Sequence, residues 1–117
     1  MSKYLDLAIS AAKINDIKNL PRMSAVLVTK DRQCFIGKNR YRTHPLQKRF
    51  GKNPRAIFLH AEIDAIVQAI RNKINTQGAS LYIARVLKNN TSALAKPCIG
   101  CQGAIVYFGI EKVEWTI

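Results

Sequence analysis

Residues 60–70 read His60-Ala61-Glu62-Ile63-Asp64-Ala65-Ile66-Val67-Gln68-Ala69-Ile70. Ile63, Ile66, Val67, Ile70 and the following Ile74 recur at i, i+3, i+4, i+7 and i+11, which predicts an amphipathic helix from about Ala61 to Asn75. Gly78 breaks it. The helix opens on an imidazole, with a carboxylate two residues later. A second helix start reads Pro97-Cys98-Ile99-Gly100-Cys101, and Gly109 stands where a C′ glycine would close that helix. The apolar stripe is expected to be core. The polar residues at the two helix starts are the candidates for chemistry.

Working outward, each of these helices lies between two strand-like runs. Met23–Thr29 and Gln33–Lys38 flank the turn Lys30-Asp31-Arg32 and predict a hairpin. Ser80–Val86 predicts a third strand, and Glu111–Ile117, with Val113, Trp115 and Ile117 alternating, a fourth. Tyr4, Leu7, Ala11, Ile14 and Ile17 predict a first helix over 3–19, with Ser2 as N-cap and Pro21 marking its end. Residues 40–59 read as one long basic connection and 87–97 as another loop. The order is α-β-β-α-β-α-β, an α/β chain with a mixed sheet of about four strands in a single domain over 1–117. Right-handed crossovers put the last two helices on one face of the sheet, with both N-termini at the edge where open α/β sheets bind ligands.

One imidazole (His60) and two thiols (Cys98, Cys101) at that edge make three zinc ligands. A catalytic zinc uses three protein ligands and keeps a fourth position open. Helix dipoles favour ionised thiolates at such starts, and Glu62 can sit beside the open position without ligating. A structural zinc needs a fourth protein ligand, and only Cys34 and His44 are unused. Cys34, between Gln33 and Phe35, is expected to be a buried apolar filler, and His44 to line the pocket.

His60-Ala61-Glu62 combined with Pro97-Cys98-Ile99-Gly100-Cys101 resembles the zinc-dependent cytidine deaminase superfamily, over nearly the whole chain. The resemblance implies a three-layer cytidine deaminase-like fold and a zinc held by His60, Cys98 and Cys101. It implies a zinc-acidified water that attacks the ring carbon bearing the exocyclic amine. Glu62 would take the water proton, deliver it to the ring nitrogen and later protonate the leaving ammonia. The Ala61 N–H would donate to the base carbonyl. Asn39, in Gly37-Lys38-Asn39-Arg40, is similar to an asparagine that contacts the nucleotide in deoxycytidylate and tRNA-adenosine deaminases. Gln102-Gly103-Ala104 after the second cysteine also looks like that branch.

Composition narrows the substrate class. Nineteen Lys/Arg against seven Asp/Glu give a net charge of +12, which favours anionic partners. Eight of the basic residues (Arg32, Lys38, Arg40, Arg42, Lys48, Arg49, Lys52, Arg55) fall between Arg32 and Ala61, a stretch without an acid. As a run of charge this is either a solvated face or a phosphate-capturing rim formed by some of Arg40, Arg42, Lys48 and Arg49. The expected function is deamination of dCMP to dUMP, by a small deoxycytidylate deaminase-like enzyme of the type phages carry. The alternatives are a deaminase acting on a base in RNA or single-stranded DNA, and a silent nucleic-acid-binding module on the same fold. Three cysteines disfavour a disulfide framework. No apolar run approaches the ~20 residues of a membrane span, and the start Met1-Ser2-Lys3-Tyr4 is no signal peptide, so a cytoplasmic location is expected. Two departures from the deoxycytidylate pattern stand out. Residues 87–96 intervene before Pro97-Cys98, changing one wall of the pocket. The chain also stops after its fourth strand and lacks the family's usual fifth, leaving a sheet edge that predicts a homo-oligomer.

Overall fold

Alternation along the two central strands sorts the core into two layers. The structure is a computed structural model that describes residues 2–42, 44–50 and 58–117. On β1 (Arg22–Val28), Ala25 and Leu27 point to one side and Val26 and Val28 to the other. On β3 (Ser80–Val86), Leu81 and Ile83 share the first side, while Tyr82, Ala84 and Val86 share the second. The helix α1 (Lys3–Lys13) covers the second side through Leu5, Ala8 and Ala12. The first side is covered by α3 (Ala61–Arg71) and α4 (Ile99–Tyr107). This is the expected three-layer α/β arrangement.

β1 pairs antiparallel with both β2 (Cys34–Lys38) and β3, so β2 and β3 run in the same direction. β3 pairs parallel with β5 (Lys112–Trp115) through Ser80–Ile83. Beyond that, the same edge of β3 pairs at Arg85 and Val86 with a two-residue strand, β4 (Ser92–Ala93). The expected strands are all present, and β4 brings the sheet to five. It comes from the segment 87–97, where the sequence predicts a loop. A short helix, α2 (Pro45–Phe50), likewise interrupts the expected connection 40–59. Lys52 and Arg55 of that connection lie outside the described residues.

The first helix is shorter than its apolar spacing suggests. Asn15 is buried, and its side-chain oxygen accepts from the Ile17 N–H (3.1 Å), a local turn that competes with further helix. The buried stripe is therefore Leu5, Ala8 and Ala12, and Ile14 is 82% exposed. Cys34 is also not the buried filler expected. It opens the outer strand β2 beside the Thr29–Gln33 turn and is exposed. Gly109 takes its predicted role: at φ +72° it closes a Schellman motif, with Ile110 N–H to Ile105 O (3.1 Å) and Gly109 N–H to Val106 O (3.1 Å).

One close approach fixes the seat of α3. A Cβ on Gly37 would come within 2.3 Å of the Ala65 nitrogen and 2.4 Å of the Ala61 oxygen. Only glycine lets β2 lie this close to the first turns of α3, where His60 and Glu62 sit.

Candidate metal centre and active site

His60 and Cys98 are the N-caps of α3 and α4, both with extended backbones (φ −77°, ψ 152° and φ −67°, ψ 167°). A single extended residue at each helix start turns its side chain back across the exposed first-turn amides. The His60 imidazole Nδ1 lies 3.3 Å from Cys101 Sγ and 3.6 Å from Cys98 Sγ. The ligand atoms of the three residues all lie within 4.8 Å of one another. A tetrahedral ion with bonds of about 2.3 Å to sulfur and about 2.0 Å to nitrogen separates such ligands by about 3.5 Å. The constellation therefore already has zinc spacing, and no fourth protein ligand joins it among the described residues.

Supporting contacts hold each ligand in place. The Cys101 N–H donates to Cys98 Sγ (3.4 Å). The His60 N–H donates to Oε1 of the buried Gln47 (3.0 Å), which ties α2 to the start of α3. The Phe58 ring stacks on the His60 imidazole, with centroids 5.8 Å apart and planes at 22°. Hydrogen bonding from the Cys101 thiol, then from His60, draws the Cys98 thiol down to about 3. Its neighbour Cys98 and burial push the Cys101 thiol up. The two neighbouring thiols are thereby driven in opposite directions. Hydrogen bonding to Cys98 raises the His60 imidazole.

Glu62 lies one step into α3 and is only 3% exposed. Burial pushes its carboxyl above the ordinary carboxylate range, against the pull of its own backbone amide and of His60. A carboxyl raised in this way is better suited to return a proton as well as to accept one. Glu62, His60 and Cys98 line a mostly apolar cavity of about 360 Å³, closed by Pro21, Met23, Phe58 and Leu94 among others. That volume is of the size that encloses a small ligand.

A family model for the cytidine and deoxycytidylate deaminase zinc-binding region matches residues 1–117. The chain belongs to this family. It is a zinc-dependent deaminase. Among curated proteins no sequence match is found. Solved structures share the fold. The dCMP deaminase of cyanophage S-TIM5 superposes with a TM-score of 0.68 at 20% identity, over 98% of this chain and 84% of that one. The same enzyme has been crystallised with dCMP and dUMP. A cytidine deaminase from Burkholderia pseudomallei gives 0.65 at 19% identity, over 96% and 83% of the two chains. The diaminohydroxyphosphoribosylaminopyrimidine deaminase/reductase of Thermotoga maritima gives 0.59 at 23% identity, over 96% of this chain and 28% of that one.

The deaminase cavity does not collect every residue singled out in the sequence. Asn39 lines it, but its amide is already engaged. Oδ1 accepts from Asn15 Nδ2 (2.8 Å) and Met23 N–H (3.1 Å), and Nδ2 donates to Pro21 O (2.6 Å). Ala61 is fully buried in the first turn of α3, where an amide has no helical partner. Arg40, Arg42 and His44 lie elsewhere, around a separate cavity of about 630 Å³ with Asp64 and Arg71. Arg40 pairs with Asp64 (3.3 Å). The His44 Nδ1 accepts from Leu46 N–H (3.0 Å) and caps α2. Arg49, expected on a phosphate rim, instead lies 4.5 Å over the Tyr107 ring. The physical reason is α2, which lays Arg49 against α4 and Gln47 against the start of α3.

The cavity lining also includes Phe58, Arg85, Leu94 and Lys96, for none of which the sequence predicts a role in the site. Leu94 and Lys96 belong to the extra segment 87–96, which does build one wall. Thr116 fastens that wall. Its N–H donates to Ile83 O (3.0 Å) and its carbonyl accepts from Ala95 N–H (3.0 Å). Its hydroxyl accepts from Arg85 N–H (3.2 Å) and donates to Ala93 O (2.5 Å).

Proposed function

We propose that this deaminase acts on a cytosine mononucleotide, converting dCMP and water to dUMP and ammonia, through one domain spanning 1–117. The observation that carries this is the burial of Glu62 beside the three-ligand cluster, in a cavity sized for one nucleoside. A zinc ion held by His60, Cys98 and Cys101 would supply a water acidic enough to act as nucleophile at neutral pH. Glu62 is placed to take one proton of the attacking water to the ring nitrogen, and then to take the second proton of that oxygen to the departing amine as the C–N bond breaks. The Ala61 amide holds the base carbonyl, and the Phe58 ring excludes solvent beside His60. The S-TIM5 enzyme, crystallised with dCMP and dUMP, supports a nucleotide substrate by likeness of fold.

A polynucleotide substrate has one observation in its favour. A groove of about 640 Å³ shares Leu20, Pro21 and Arg85 with the cavity, and it is lined also by Lys18, Arg22 and Lys88 with no acid. A panel separates the two. Zinc-loaded protein is incubated with deoxycytidine, cytidine, dCMP, dCTP, adenosine and a short deoxyoligonucleotide, and the one-dalton gain on replacing amine by oxygen is read by mass spectrometry. Turnover of dCMP is expected, and turnover of the oligonucleotide alone overturns the assignment.

No described helix is long and apolar enough to cross a membrane, and we place the activity in the cytoplasm. The outer face of α4 exposes Ile99, Val106 and Tyr107, and β5 pairs on one edge only among the described residues. We therefore propose a homo-oligomer, and sedimentation showing only monomer at micromolar concentration would sink that part.

A further inference from the structure

Arg85 stands where the strand pattern calls for an apolar side chain. It continues the row of Leu81 and Ile83, both fully buried under α3 and α4. Its backbone is fixed on both sides, opposite Met23 on β1 and Ala93 on β4, with its N–H on Thr116. Its side chain is partly buried, yet Nε is shielded from solvent with no hydrogen-bond partner among the described residues. No carboxylate pairs with it. The described ion pairs are Arg40–Asp64 and Lys112–Glu114. Glu114 Oε2 is the other shielded side-chain polar atom without a hydrogen-bond partner among the described residues, but it lies 3.8 Å from Lys112 Nζ. Among these residues the Arg85 donor has no partner of either kind, and an incoming anion would supply one.

The location points to which anion. Arg85 lines the cavity that holds His60 and Glu62, and Lys96 is the other cation on that lining. Glu62, the single acid there, is committed to proton transfer. The guanidinium fork matches phosphate oxygens in a bidentate way that a lysine cannot reproduce. Arg85 also faces the adjoining groove with Lys18, Arg22 and Lys88, whose summed field draws anions toward it.

We propose that Arg85 is the residue that receives the substrate's phosphate, assisted by Lys96, and so sets the preference for a nucleotide over its nucleoside. This rests on the nucleotide assignment made above. Specificity is thereby carried by the strand end and insert that lead into Cys98, rather than by the basic stretch that leads into His60.

The test compares wild type, Arg85→Met, Arg85→Lys and Lys96→Met, all zinc-loaded, with dCMP and deoxycytidine as substrates. Binding of dUMP and deoxyuridine is measured in parallel by calorimetry. Arg85→Met is expected to lose roughly 10- to 100-fold in kcat/KM for dCMP and in dUMP affinity, the range of a charge-assisted hydrogen bond. Deoxycytidine turnover and deoxyuridine binding should hold within about twofold. Arg85→Lys should fall between, through KM rather than kcat, and Lys96→Met should show a smaller loss of the same kind. A dCMP preference that survives in folded Arg85→Met overturns the proposal and leaves the nucleotide assignment standing. If Arg85→Met does not fold, Arg85→Lys decides, and equal losses on both substrates overturn the proposal. A wild type without preference for dCMP overturns the nucleotide assignment itself. Oligonucleotide turnover that Arg85→Met removes, with dCMP inert, supports the phosphate role and places it on a diester.

Discussion

Two segments of this chain occupy equivalent places in the topology. Residues 39–59 lead from β2 into α3 and end on His60, while residues 87–97 lead from β3 into α4 and end on Cys98. The first is far more basic, and composition alone makes it the obvious rim of an anion site. The structure divides the work otherwise. In the first segment Arg40 pairs with Asp64, Arg49 lies on an aromatic ring, and a buried glutamine holds the start of α3. In the second, a two-residue strand is stitched to Thr116 and places Leu94 and Lys96 on the cavity beside Arg85. A run of charge marks a surface. What faces a site is decided by which side chains the local fold leaves without partners.

The comparison breaks most severely at the root of the first segment. Gly37→Ala forces a methyl against the α3 backbone and should cost about 3 kcal/mol or more, with zinc affinity falling because His60 moves with the helix. Denaturant unfolding and zinc content per chain check both. If Gly37→Ala is as stable as wild type, α3 is not seated by that contact. At the clamp of the second segment, Thr116→Val strands the Arg85 N–H and the Ala93 carbonyl. It should cost about 1–3 kcal/mol and raise KM for dCMP, and unchanged KM would mean that the wall does not touch substrate.

Glu62 sharpens the comparison through pH. Burial raises its carboxyl in the folded, metal-free protein above the 4.5 of an ordinary glutamate. Its contribution to stability is therefore complete below about pH 4.5 and is lost as pH rises through the folded value. Glu62→Gln should match wild type in unfolding midpoint near pH 4 and exceed it increasingly toward pH 8. A midpoint difference independent of pH would contradict the raised carboxyl. The smallest effects belong to the first segment's outward cations. Arg42→Ala should shift stability within about 0.5 kcal/mol and change kcat/KM for dCMP less than twofold. A tenfold loss would return phosphate capture to that stretch.

The parts legible in the sequence are those with local rules. His60, Glu62, Cys98 and Cys101 are fixed by short spacings at two helix starts, and strand–helix alternation brings those starts to one sheet edge. Gly109 announces its turn for the same reason. The misread parts depend on distant partners or on competition. The spacing of Ile14 and Ile17 continues a helix that the Asn15 side chain ends. α2 has no periodicity of its own, and only contact with the His60 amide explains a buried Gln47. Arg85 reads as one more strand residue until β3 is set in register between β1 and β4, and the whole second wall follows from that register.

The most direct test of the central claim is turnover of dCMP by Glu62→Gln protein that retains one zinc per chain and binds dUMP as wild type does. Loss of a residue that moves each proton should lower kcat by about 10²- to 10⁴-fold with little change in KM. Turnover within a few-fold of wild type in such protein would contradict the assignment of Glu62 as the proton carrier, and with it the chemistry assigned to this cavity.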